Sequence, residues 1–198
     1  MLYITVTGLA PPTLAVPGII SGSGARRTGR KNPKHHMEVI QHAGKVYPAF
    51  QASGFAARFV FPFAAELCRG VGYDIGCNRP EWALPGAIPI DPAIDPSLGS
   101  MSLPDGEVDY IFSSHMLEHA DDWVAHLDNW IAHVRPGGVI FLYLPDYSQT
   151  YWRPWNNRKH RSVLSPDIIS DFFVDRGMAR VFASGVDLNS SFCVVAER

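Results

Sequence analysis

The stretch of this 198-residue chain best suited to holding a ligand runs from Gly70 through Val71, Gly72, Tyr73, Asp74, Ile75, Gly76 and Cys77 to Asn78, and is followed by Ile88-Pro89-Ile90-Asp91. An apolar strand, a sharp glycine turn and a second short strand ending in an acid form the half-site that receives an adenosine group in α/β folds. Gly76 lets the backbone approach a ligand where a Cβ would take its space. Asp91 can accept hydrogen bonds from both hydroxyls of a ribose. A second group has different chemistry: His115-Met116-Leu117-Glu118-His119 matches the string H-x-x-E-H of inverted zinc peptidases, in which two histidines one helical turn apart bind the metal. That string needs a continuous helix. Here residues 108–113 read as a buried strand running straight into it, so no metal site is expected.

The elements that must position these residues follow from periodicity. Short apolar runs predict strands at 71–75, 87–90, 108–113, 139–144, 178–183 and 192–196, and helical spacing predicts helices at 121–134 and 166–176. Ser165 before Pro166 is a helix start, Gly177 a helix stop, and Arg135-Pro136-Gly137-Gly138 turns one helix into the next strand. Alternating strands and helices imply a mainly parallel sheet covered on both faces. The link between the last two strands is too short for a helical crossover, so they should form an antiparallel hairpin at or near an edge. Upstream, Phe55, Phe59, Phe63 and Leu67 recur at four-residue spacing and suggest a helix interrupted near Pro62. Residues 1–69 are thus read as a loop-rich and helical N-terminal extension capping the core, and residues 70–198 as the α/β domain.

The ordered combination of Leu103-Pro104, Asp109-Tyr110-Ile111, Ser114-His115-Met116-Leu117-Glu118-His119 and Pro136-Gly137-Gly138 resembles the class I S-adenosylmethionine-dependent methyltransferases, small-molecule or sugar type and methyltransferase type 11-like. The resemblance covers about residues 70–198. It implies a Rossmann-like, mainly parallel seven-stranded sheet with helices on both faces and a C-terminal antiparallel hairpin, with S-adenosylmethionine as cofactor. It further implies that Asp74, Gly76 and Asn78 border the methionine part of the cofactor and that Asp91 holds the ribose. Ser100 and Met101 would flank adenine, and Ser114 and His115 would face the methionine and the transferred methyl. Two departures stand out: Asn78-Arg79-Pro80 shortens the glycine loop, with Pro80 and Pro85 leaving little room for a first crossover helix, and Gly99 and Ser100 stand where an acid often binds adenine.

A sulfonium already carries an activated methyl, so the protein has to align the acceptor and remove a proton where the acceptor is a hydroxyl. Candidate bases are His115, His119 and His160. Tyr147 and Arg158 are candidates for orienting the acceptor, with His160, in an aromatic and basic loop after the strand expected at 139–144. The expected acceptor is a small molecule or saccharide. A methyltransferase-like binding or interaction domain without activity is the alternative, a zinc peptidase a weaker one, and a nicotinamide dehydrogenase fits the first half-site only.

Bulk composition narrows the class. The chain is 46% hydrophobic with a net charge of -2, which fits one globular domain and argues against a general nucleic-acid surface. The basic segment Arg26, Arg27, Arg30, Lys31, Lys34, His35 and His36 is read as a solvated arm. No apolar run reaches the ~18 residues of a membrane span, and the first residues lack a secretory pattern, so a cytoplasmic location is expected. Three widely spaced cysteines make neither a disulfide framework nor a zinc ribbon.

Overall fold

The computed structural model describes residues 38–42, 45–49 and 55–198. The basic segment 26–36 and the prolines before it lie outside the described residues. A two-stranded antiparallel ribbon, β1 (Val39–His42) with β2 (Lys45–Pro48), comes first. The main sheet contains β3 (Gly72–Ile75), β4 (Ile88–Ile90), β5 (Val108–Ser114), β6 (Val134–Pro145), β7 (Ala179–Ala183) and β8 (Ser191–Glu197), in the order β4-β3-β5-β6-β8-β7. Pairs β4-β3, β3-β5 and β5-β6 are parallel, while β8 lies antiparallel between β6 and β7. The expected reversed element is therefore present, with β7 on the edge.

Among the described residues the sheet has six strands, one fewer than the resemblance implied. Residues 91–107 form turns and a single bridge between Gly99 and Ser102. Pro92, Pro96 and Pro104 remove three backbone donors from that stretch, which disfavours a strand within it. The first crossover is likewise clipped: only the 3-10 turn Pro80–Trp82 joins β3 to β4.

Strands in the middle of the sheet are buried on both faces, as parallel strands covered by helices must be. One face presents Ile75, Ile111, Ile140, Leu142, Phe192 and Val194 to two helices, α2 (Trp123–His133) and α3 (Pro166–Asp175). These helices contribute Leu127, Trp130, Ile169 and Phe173, all fully buried. Each such side chain contributes roughly 1.5–3 kcal/mol, whereas the half-exposed Arg176–Asp128 pair that links the two helices is worth at most about 1 kcal/mol. Apolar burial decides this layer. Both helices start on a side-chain cap: Asp122 accepts from Ala125 N at 3.0 Å, and Ser165 from Ile168 N at 3.3 Å with Pro166 in the first turn.

The opposite face, lined by Tyr110, Phe112, Phe141, Tyr143 and Val195, is covered by the 3-10 turn Ala56–Phe59 and α1 (Phe61–Leu67). The break between them falls at Val60, with Pro62 in the first turn of α1. Ala64 is fully buried, and Phe61 and Phe63 meet Phe112 and Phe141 ring to ring. The expected boundary at residue 70 thus falls between α1 and β3, two elements of one packed unit. Among the described residues no helix is long and apolar enough to cross a membrane.

The turn expected at Arg135-Pro136-Gly137-Gly138 lies inside β6 as an irregularity: Val134 pairs with Val108, and regular pairing resumes at Val139. A Cβ on Gly138 would sit 2.7 Å from the Asp109 carbonyl and 2.9 Å from that of Arg135. Backbone cannot swing aside as a side-chain end can. Gly138→Ala should therefore cost about 1–3 kcal/mol through overpacking and lower the thermal midpoint by several degrees; an unchanged melting curve would show that this segment repacks freely.

Candidate functional site

The site is assembled where β3, β4, β5 and β6 end at their carboxyl termini, the position at which open α/β sheets receive ligands. Gly76 closes β3 with φ +86°, and its N–H donates to the Ile90 carbonyl at 2.9 Å. A Cβ at Gly76 would lie 2.3 Å from Met116 Cγ. Its glycine is thus required by the left-handed backbone and by Met116, rather than by a ligand in that space. Asn78, also left-handed at φ 65°, donates its N–H to Asp91 Oδ2 at 2.8 Å, and Ala93 N donates to Asp91 Oδ1 at the same distance. Asp91 braces both turns, and with one N–H on each oxygen its carboxylate keeps lone pairs for further donors.

Asp74 is buried and accepts from Leu84 N at 2.6 Å. Burial pushes its carboxyl up to about 7, opposed by the Leu84 hydrogen bond and reinforced by the charge of Asp91. The Ser100 carbonyl accepts the Trp130 indole N–H at 2.7 Å, and Met101 is half exposed. Ser114, at the end of β5, has a buried hydroxyl with no partner in the fold. An unsatisfied hydroxyl costs about 1–3 kcal/mol.

The chain then leaves β5 through His115 in the left-handed region at φ 49°, its N–H on the Tyr143 carbonyl at 2.8 Å and its ring Nε2 2.9 Å from Ser191 Oγ. A 3-10 turn, Leu117–His119, follows, with Leu117 and Glu118 buried. The main-chain carbonyl of Glu118 accepts two N–H groups, from Arg161 at 2.7 Å and Ser162 at 3.1 Å. This anchors the loop after β6 and sets His160 beside the Glu118 side chain. His160 is buried, stacks on Trp152 at 5.4 Å and 6°, and meets His119 edge-on at 4.8 Å.

Three imidazoles thereby surround one carboxylate: His115 Nδ1 and His119 Nε2 are each 3.8 Å, and His160 Nε2 is 3.9 Å, from Glu118 Oε1. Burial, aided by the neighbouring His160 and His119 charges, pushes His115 down to about 3. His160 is pushed down to about 4 by burial and by His119, against a hydrogen bond with the Trp152 main chain. Glu118 is pushed up to about 8 by burial. At neutral pH both histidines are uncharged with a lone pair available. A cavity of about 260 Å³ opens here, lined by Gly76 and Ser114 at the sheet end, by His115, Glu118 and His119 from the turn, and by Trp152, Lys159 and His160 from the loop. Gly76 and Ser114 also line a narrow cleft with Asp74, Cys77 and Trp82.

A family model described as a methyltransferase domain matches residues 52–181. The chain belongs to the methyltransferase-domain family. It is a class I enzyme whose cofactor is S-adenosylmethionine, as its motifs implied. A SAM-dependent methyltransferase from Archaeoglobus fulgidus shares the fold with a TM-score of 0.56 at 15% identity, over 76% of this chain and 98% of that one. A protein from Thermotoga maritima described as a possible histamine N-methyltransferase gives a TM-score of 0.58 at 14% identity, over 75% and 94%. The N-methyltransferase NodS of Bradyrhizobium japonicum in complex with S-adenosyl-L-homocysteine gives 0.50 at 16%, over 74% and 85%. At these identities the likeness establishes the fold. No curated protein matches the chain. The unpaired Ser114 hydroxyl and the spare acceptor capacity of Asp91 fit the cofactor's polar groups.

The zinc-peptidase alternative fails in this methyltransferase, because His115 is left-handed and Leu117–His119 is a 3-10 turn rather than part of a continuous α-helix. Of the acceptor residues expected from sequence, His160 faces the cavity; Tyr147 is half exposed beneath the Arg153 guanidinium at 4.7 Å, and Arg158 lies on an exposed face with Trp155. Sequence reasoning missed Glu118 and Trp152 as parts of the site. Glu118 had one visible signal, an acid in the otherwise buried step from β5 into the next turn. Cys68 and Cys193 are buried free thiols pushed up to about 12 by burial, hence inert.

Glu118 fixes the sign of a pH effect. Below its ordinary value of 4.5 it is protonated whether the chain is folded or not; from there to about 8 only the unfolded chain ionises, so the folded state loses stability as pH rises. In metal-free buffer the unfolding free energy of the native protein should fall relative to that of Glu118→Gln across this window and level off above it. Denaturant titrations at a series of pH values measure the difference, and a constant offset would remove Glu118 as its source.

Proposed function

We propose that this methyltransferase acts on a small molecule or saccharide, transferring the methyl group by direct displacement. The observation that carries this reading is the cavity of about 260 Å³, near the low end of the usual range for small-ligand sites, with an unpaired hydroxyl at Ser114 and an imidazole–carboxylate cluster sharing its wall. The cofactor supplies a methyl already activated on a sulfonium. The protein's work is then to hold, orient and deprotonate. Asp91 would bind the ribose, Asp74, Gly76, Asn78 and Ser114 would border the amino-acid end, and Ser100 and Met101 would border the base. His115, His119 and His160, with Glu118, would receive the proton of a hydroxyl or amine acceptor. Trp152 would wall the acceptor, and Tyr147 and Arg158 would meet its outer parts.

One observation favours a second reading, a binding domain without turnover: Met116 packs against Gly76 where the family's cofactor approaches. Calorimetry separates the two. Titration with S-adenosylmethionine or S-adenosylhomocysteine should give one site, and no heat at high protein concentration would sink the enzyme. Asp91→Ala should weaken cofactor binding by about 10- to 100-fold through two lost hydrogen bonds. A thermal melt of the same variant reports the cost of unbracing Asn78 and Ala93, and retained affinity in a folded variant would move the ribose site elsewhere.

A further inference from the structure

Glu118 is 2% exposed, and neither of its carboxylate oxygens has a hydrogen-bond partner in the fold. A buried carboxyl is held that way at a cost unless something else meets it. Three ring nitrogens face it at 3.8 to 3.9 Å, too far for hydrogen bonds. The Nδ1 of His119 lies 2.9 Å from the Lys159 carbonyl, which makes it the N–H and leaves Nε2 of the neutral ring as an acceptor. The nitrogen of His160 that faces Glu118 is likewise Nε2, and its ring is held in place by the stack on Trp152.

Two imidazole nitrogens and a carboxyl group therefore converge on one gap, and a cation that displaces the carboxyl proton can take a lone pair from each. The donor atoms of Glu118, His119 and His160 all lie within 4.8 Å of one another. Nitrogen and oxygen ligands bind zinc at about 2.0–2.2 Å and so stand ~3–4 Å apart around it; small side-chain rotations close the set. The second requirement of such sites is also met, since backbone carbonyls commonly orient the far nitrogen of a metal-bound histidine.

We propose that Glu118, His119 and His160 bind a divalent transition-metal ion, with open coordination positions facing the cavity. Two imidazoles with one carboxylate suit zinc, cobalt, iron or manganese rather than magnesium or calcium, which take oxygen ligands. This set differs from the peptidase string, because its second histidine comes from the loop after β6 and His115 is tied to Ser191. The ion's use in the reaction, as a seat for an acceptor oxygen, rests on the proposed function; the binding itself rests only on the ligand geometry.

The test uses the full untagged chain, stripped with EDTA and titrated with zinc chloride or cobalt chloride. Calorimetry and metal analysis after dialysis should give one equivalent per chain, and bound cobalt should show visible d–d bands. Glu118→Gln, His160→Ala and His119→Gln should each weaken binding by at least ~10-fold, while His126→Ala, on the outer side of α2, should not. His119 is part-exposed, so its variant keeps the test valid where a buried substitution unfolds the chain. Absence of a bound equivalent, or equal affinity in folded Glu118→Gln or His119→Gln, overturns the site. Titrating S-adenosylhomocysteine into the same samples separates the readings: cofactor bound without metal overturns the metal site alone, and metal bound without cofactor supports it while removing the methyltransferase reading.

Discussion

One main-chain carbonyl organises this site. The oxygen of Glu118 takes the N–H groups of Arg161 and Ser162, and so stitches the loop after β6 to the turn after β5. With the bond from His119 Nδ1 to the Lys159 carbonyl, that pair fixes His160 relative to His119 and to its stacking partner Trp152. The geometry of the imidazole cluster is thus set by backbone, not by attraction between the side chains. That is consistent with their contacts, which exceed hydrogen-bond length.

The electrostatics follow from burial on a short stretch of chain. His115 leaves the strand in the left-handed region, a conformation that costs a non-glycine residue about 1–2 kcal/mol, and the turn that results drives Glu118 beneath the loop. Burial then disfavours charge on the acid and on two of the bases: His115 and His160 are pushed down, and Glu118 is pushed up. At neutral pH His115 and His160 thus hold lone pairs and Glu118 its proton. The cluster is poised to accept a proton or a cation from whatever enters the cavity.

The layered sheet was legible in the sequence because its signals are local. The apolar run from Val108 to Ser113, the Ser165-Pro166 start and the Gly177 stop each act within a few residues, and each recurs in the structure. The missing strand was less legible, since the family pattern argued for it and only Pro92, Pro96 and Pro104 argued against it. The site divided in the same way. Gly76 and Asp91 stand at adjacent strand ends as their spacing required. Glu118 joins His160 only through a loop closed by long-range backbone bonds, which no periodicity reports. Ser100 and Met101 were assigned by family position alone; the Ser100 carbonyl accepts the Trp130 indole N–H.

The clipped sheet has a further consequence at its rim. Gly76 N bonds to Ile90 O, so Ile90, and with it Ile88, turns its peptide groups inward to β3, and Pro89 turns outward. The one residue of β4 that would offer an N–H to a neighbouring chain therefore has none to offer. At the far rim, β7 carries an irregularity between Ala179 and Phe182, with Arg180 at φ 47°, a kink that spoils a straight ladder. Both open borders are blunted against strand-to-strand self-association, so the fold dispenses with its outermost strand without gaining a sticky edge.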